Sequence, residues 1–148
     1  MQGAFLFIFV KIPLMRCLSF ISLVVLFASC SGGGSVSKRL AGSDSLVITF
    51  NVPNSDSIIN TVSTAEAKAI RKLARFLDGI PAERDKCGYD GNMIFFKNGQ
   101  EVLPVVFRYS EPGCRYFLFD VENKLTSSSM NNEAASFLQS LAKGRDWY

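Results

Sequence analysis

Met93-Ile94-Phe95-Phe96-Lys97-Asn98-Gly99-Gln100-Glu101-Val102-Leu103-Pro104-Val105-Val106-Phe107-Arg108-Tyr109 is the stretch on which the fold turns. Two apolar runs, Met93 to Lys97 and Val102 to Tyr109, flank the pair Asn98-Gly99. A two-residue hairpin turn needs positive φ at both central positions, and Asn followed by Gly tolerates that at little cost. The two runs are therefore expected to pair as antiparallel strands. Pro104 has no N–H to give to a ladder, so the second strand is expected at a sheet edge, or bulged there.

Toward the C-terminus, Arg115 to Val121 reads as a further strand, and Glu122-Asn123 can turn it back into Lys124 to Ser127, making a meander. Asn131 or Asn132 can then cap a helix whose Ala134, Phe137, Leu138 and Leu141 face inward, with Gly144 as its stop. Toward the N-terminus, Leu46, Ile48, Phe50 and Val52 alternate with smaller or polar residues, the pattern of a half-buried strand ended by Pro53 and Asn54. Ser63-Thr64-Ala65-Glu66 has the spacing of a capping box. It predicts a helix to about Leu77, with Ala67, Ile70, Leu73, Ala74 and Leu77 as its apolar stripe and Gly79 and Pro81 beyond its end. The order β-α-β-β-β-(β)-α predicts an α+β domain: an antiparallel four- to five-stranded meander with two helices on one face. Neither an internal repeat nor a glycine-rich phosphate loop is present.

The 148 residues suit one domain, and the 48% hydrophobic content owes much to the run Gly3 to Ala28. Of the 16 Lys and Arg, Lys11 and Arg16 precede Cys30, which leaves 14 bases against 13 acids in the remainder. That balance argues against nucleic acid as a partner, because phosphate binding draws on a surplus of cations. The chain has no histidine, which removes His-dependent triads and His-bearing zinc sites.

Met15 to Cys30 has a short basic start, an apolar stretch of signal-peptide length and small residues before a cut. It is complete by itself, so Met15 reads as the start of translation. An uncleaved membrane span is the alternative, but the run from Leu18 is shorter than a span requires. Leu26-Phe27-Ala28-Ser29-Cys30 resembles the lipobox of bacterial lipoproteins, with Phe27 where leucine is commonest. The resemblance implies that Cys30 is thioether-linked to diacylglycerol, becomes the mature N-terminus and carries several acyl chains, which makes a stable anchor. An ordinary secretory cut leaving a free thiol is the alternative. Residues 1–29 are thus expected to be the signal, 30–43 the lipidated cysteine and a Gly/Ser tether, and 44–148 the single domain. By resemblance to lipoprotein sorting, Ser31 in place of aspartate favours the periplasmic leaflet of an outer membrane.

Two further cysteines lie in the domain. In an exported chain they are expected to oxidise, and in the meander Cys87 and Cys114 precede strands that run the same way, placing both at one end of the sheet. One strand intervenes, a gap of roughly 10 Å, so the flanking loops must fold inward to close it. The spacing is not that of a redox-active Cys-x-x-Cys pair.

Several other groups of side chains are candidate sites. Lys68, Arg71, Lys72 and Arg75 form a basic row that could meet an anionic headgroup or an acidic partner; a solvated helix face is the simpler reading. Asp85, Asp90 and Asn92, around Gly88 and Gly91, offer oxygens but lack calcium-loop spacing and read as a turn. Asp120 with Glu122 is the nearest approach to an acid/base pair, at a hairpin end. Tyr89, Tyr109, Tyr116, Trp147 and Tyr148 could make a glycan- or peptide-binding surface, although packing is the commoner use. The expectation is a membrane-anchored, non-enzymatic binding module without cofactor or metal, whose partners are the membrane through its lipid and an envelope protein or glycan. A small envelope hydrolase using carboxylates, or a structural spacer, are the alternatives.

Overall fold

A computed structural model of the chain describes residues 36–83, 87–145 and 147. The leader, Cys30, Asp85 and Tyr148 lie outside the described residues. A one-turn helix α1 (Val36–Arg39) leads into strand β1 (Ser45–Asn51), and β2 (Ile58–Thr64) follows. Helix α2 (Ala67–Phe76) comes next, then β3 (Gly91–Lys97), β4 (Gln100–Arg108), β5 (Tyr116–Val121), β6 (Lys124–Ser129) and helix α3 (Asn132–Ala142). The strands form one antiparallel sheet in the order β2-β1-β3-β4-β5-β6. The class is α+β, with six strands and three helices where four to five strands and two helices are expected from the sequence.

The extra strand is β2. Ser63, which stands at capping-box spacing from Glu66, and Thr64 instead pair with Val47 and Leu46 of β1. The α2 N-cap is Glu66, which makes no side-chain capping bond; the hydroxyl of Thr64 accepts from the Glu66 amide at 3.0 Å. The helix ends about where expected, and Ala69, Ile70, Leu73, Ala74 and Leu77 are buried, while Ala67 is exposed.

Both predicted tight turns form. Asn98 and Gly99 have φ of 52° and 73°, and Glu122 and Asn123 have φ of 55° and 61°. Pro104 is in an interior strand, opposite Ile94 of β3, and not at an edge. Its missing N–H is accommodated because the β4–β5 ladder begins only at Val105↔Phe119, and the β3–β4 register shifts nearby, between Phe95 and Phe96.

Leu46, Ile48, Phe50, Met93, Phe95, Val105, Phe107, Phe117 and Phe119 point to one face of the sheet, and the inner sides of α2 and α3 complete a single core with them. The folded unit also takes in part of the segment assigned on composition to the tether: Leu40 is buried in the same core, and Val36 packs against it. The β6 edge is covered by Ile80 to Ala82, where Pro81 bridges to Ser128 and the Ser129 amide donates to the Ile80 carbonyl. On the other side β2 is the outermost strand, with Ile58 and Ile59 exposed.

Helix α3 is capped as the sequence suggests, by Asn131, whose side chain accepts from the Ala134 amide at 2.8 Å. Ala134, Ala135, Leu138 and Leu141 are buried beneath it. Asn131→Ala is expected to lower the unfolding free energy by about 1 kcal/mol, measured by urea denaturation, because one amide at the helix start loses its acceptor.

Candidate functional site

Two regions carry polar chemistry. The first lies where β1, β3, β4 and β5 meet the loops before β3 and β5. Cys87 and Cys114 are joined there by a disulfide with a Cα–Cα distance of 5.9 Å. The roughly 10 Å gap expected across one strand is closed because both loops turn inward: Pro112–Cys114 form a 3-10 turn, and the Tyr116 hydroxyl donates to the Gly88 carbonyl. Gly91 lies at the same end, close enough to β1 that a Cβ there would stand 2.2 Å from the Thr49 carbonyl oxygen.

Asp90 and Arg108, only 1% and 7% exposed, sit at the centre of this end. The Asp90 carboxylate accepts from the amides of Tyr109 and Ser110, both at 2.8 Å, and from the Ser110 hydroxyl at 3.0 Å. The Arg108 guanidinium donates to Asn54 and to Glu111, both at 2.9 Å, and stands 3.7 Å from Asp90. A buried carboxylate holding three donors and facing a cation fixes the loop at Tyr109 and Ser110. Burial raises the Tyr109 and Tyr116 hydroxyls above their ordinary pKa, with the Asp90 charge adding to this in both and Arg108 opposing it at Tyr116. The Tyr89 hydroxyl is raised chiefly by its hydrogen bond to Asp56.

The second region is a cleft of about 400 Å³ between the segment Val36–Ser43 and helix α2. Its floor and walls are apolar or small: Leu40, Ala41 and Gly42 on one side, Ala67, Ile70 and Ala74 on the other. The Ser37 amide donates to the Asp78 carboxylate at 3.1 Å, tying α1 to the far end of α2. At the other end of the segment the Asp44 amide donates to the Phe96 carbonyl. The Asp44 carboxylate accepts from the amide of Asn98, and that bond, with one from the Ser45 hydroxyl, lowers its pKa.

Arg71 and Arg75 also line the cleft, and here the basic row of α2 divides. Lys72 turns toward α3: its ammonium lies 4.3 Å from the centroid of the Phe137 ring and 3.7 Å from the Glu133 carboxylate. Arg71 and Arg75 are exposed and make no ion pair or hydrogen bond with any described residue. One helical turn separates them, so the two guanidinium groups project from neighbouring positions on one face.

The remaining candidates are dispersed. Asp120 is exposed at the end of β5 and Glu122 occupies the hairpin turn; neither lines the cleft. Asn92 is exposed, whereas Asp90 is buried, and no set of three or more Cys, Asp or Glu suited to a metal ion occurs among the described residues. Tyr109 packs against Phe50 and Phe107 at the Asp90 end, where Tyr89 and Tyr116 also lie, whereas Trp147 packs against Phe137. The cleft had no signal in the sequence beyond the basic row, because its walls come from segments some thirty residues apart and consist largely of small side chains. No described helix is long and apolar enough to cross a membrane. Comparison of the chain with protein-family models, curated proteins and solved structures finds no match.

Proposed function

We propose that this chain is a lipid-anchored lipoprotein of the bacterial cell envelope, acylated at Cys30, whose folded part is a small non-enzymatic binding module on the periplasmic side of an outer membrane. The leader supports the anchor: Ala28-Ser29-Cys30 follows an apolar run of signal length, and Ser31 to Ser35 are glycine and serine. The cleft beside α2 is the observation that carries the binding role. It combines a largely apolar lining with two arginines that have no ion-pair partner among the described residues, which is the composition of a site that takes a ligand with both an apolar and an anionic part.

Metabolic labelling of expressing cells with an alkynyl fatty acid tests the anchor. The wild-type protein is expected to carry the label and to sediment with membranes, and Cys30→Ala to lose both. Label that persists in the variant, or a wild-type protein with a free thiol at residue 30, would overturn the assignment.

A further inference from the structure

We infer that the cleft between Val36–Ser43 and α2 binds an anionic phospholipid of the membrane that carries the protein, with the phosphate between Arg71 and Arg75 and the first methylenes of one chain over Leu40, Ile70 and Ala74. The inference rests on the reading of the chain as a tethered binding module and names what that module takes. Three observations lead to it.

The first is charge. Arg71 and Arg75 make no ion pair with any described residue, although Lys72 beside them is drawn to Glu133. A guanidinium presents a planar fork of donors that matches the oxygens of a phosphate, and two forks one turn apart can hold one phosphate between them.

The second is shape. Besides the arginines the lining is largely apolar, with hydrocarbon supplied by Leu40, Ile70 and Ala74 and hydroxyls by Ser37 and Ser43. Isolated phosphate has no use for such a floor, whereas a headgroup with acyl chains beneath it does. About 400 Å³ falls in the range of small-molecule sites, roughly 300–1,000 Å³, and accommodates a headgroup with part of one chain while the rest of the lipid remains in the bilayer. One wall of the cleft is helix α2 and the other the α1 segment, so it offers no strand edge on which an acidic peptide could extend.

The third is reach. Val36, the first described residue, lies six residues beyond Cys30. Fully extended, those residues span at most about 20 Å. A thioether-linked Cys30 therefore holds the cleft within a short distance of the headgroups, where anionic lipid is concentrated.

The test uses the full chain in neutral detergent micelles, with Leu, Ile and Ala methyl groups isotopically labelled. The probes are dihexanoyl phosphatidylglycerol, dihexanoyl phosphatidylcholine, inorganic phosphate and an oligoglutamate peptide. Phosphatidylglycerol is expected to shift the methyl signals of Leu40, Ile70 and Ala74 saturably, and Arg71→Gln/Arg75→Gln to weaken that binding at least tenfold. Both arginines are exposed, so that variant keeps its fold. Ala41→Phe, which fills the cleft and leaves the charges in place, is expected to weaken binding as well. Equal response to the two phospholipids, full affinity in the double variant, tighter binding of the peptide, or inorganic phosphate binding as well as the lipid would each overturn the inference. The titration is run on both the acylated chain and Cys30→Ala, so failure of lipid binding and failure of the anchor assignment give different results.

Discussion

Replacing Arg108 with alanine is expected to lower the unfolding free energy by about 3–5 kcal/mol, measured by urea denaturation at neutral pH. The guanidinium is 7% exposed and faces a carboxylate that is 1% exposed. Taking away one member of a buried pair leaves the other charge without its counter-ion in a medium that solvates it poorly. Here the loss should fall toward the lower end of the range, because Asp90 keeps the amides of Tyr109 and Ser110 and the Ser110 hydroxyl. Asn54 and Glu111 also lose a donor, but the Glu111 side chain is 57% exposed and returns to water. Glu111→Gln should therefore change stability by no more than about 1 kcal/mol, which makes it the control for the exposed side of the cluster. A loss below about 1 kcal/mol for Arg108→Ala would show that the pair does not hold this end of the sheet.

Cys87→Ser with Cys114→Ser is expected to have an effect of similar size, about 3–4 kcal/mol in the chain-entropy account for a loop of this length. The two cysteines are 27 residues apart in sequence, and β3, β4 and the turn between them lie inside the closed loop. Without the crosslink the unfolded chain regains that freedom, while the folded chain retains the Tyr116–Gly88 hydrogen bond and the Asp90 cluster. Combining both changes should cost less than the sum of the two. Disulfide and ion pair both hold residues 87–90 against 108–116, so once that end has opened the second change finds little left to break. Strict additivity in the urea midpoints would indicate two independent constraints.

What could be read from the sequence and what could not divide along a physical line. The β3–β4 hairpin, the β5–β6 turn and the Asn131 cap were legible because each is specified by adjacent residues: Asn98-Gly99, Glu122-Asn123, and an acceptor three residues ahead of the amide it serves. Strand β2 was not. Alternation becomes visible only when one face is buried, and in β2 no residue is fully buried, with Ile58 and Ile59 both exposed. Ser63 and Glu66 meanwhile stand at capping-box spacing, and nothing local shows that Ser63 pairs with Val47. Val36 and Leu40 are the two strongly apolar residues in a polar stretch, so the burial of Leu40, and the inclusion of α1 in the fold, depends on surfaces supplied by distant elements. The cleft shares this character: the sequence marks a basic row, but which of its cations are engaged is decided by Phe137 and Glu133, some sixty residues further on.

The position of β1 has a consequence for assembly. It lies between its hairpin partner β2 and the distant strand β3. The sheet thus consists of two pieces, each built from neighbours along the chain, stitched by one ladder that runs from Ser45↔Phe96 to Phe50↔Gly91. Residues facing each other along that seam are about 40 to 50 positions apart, so joining the pieces closes far longer loops than either hairpin does. Among the ladders of the sheet, this seam is therefore the one whose closure has the largest entropic toll.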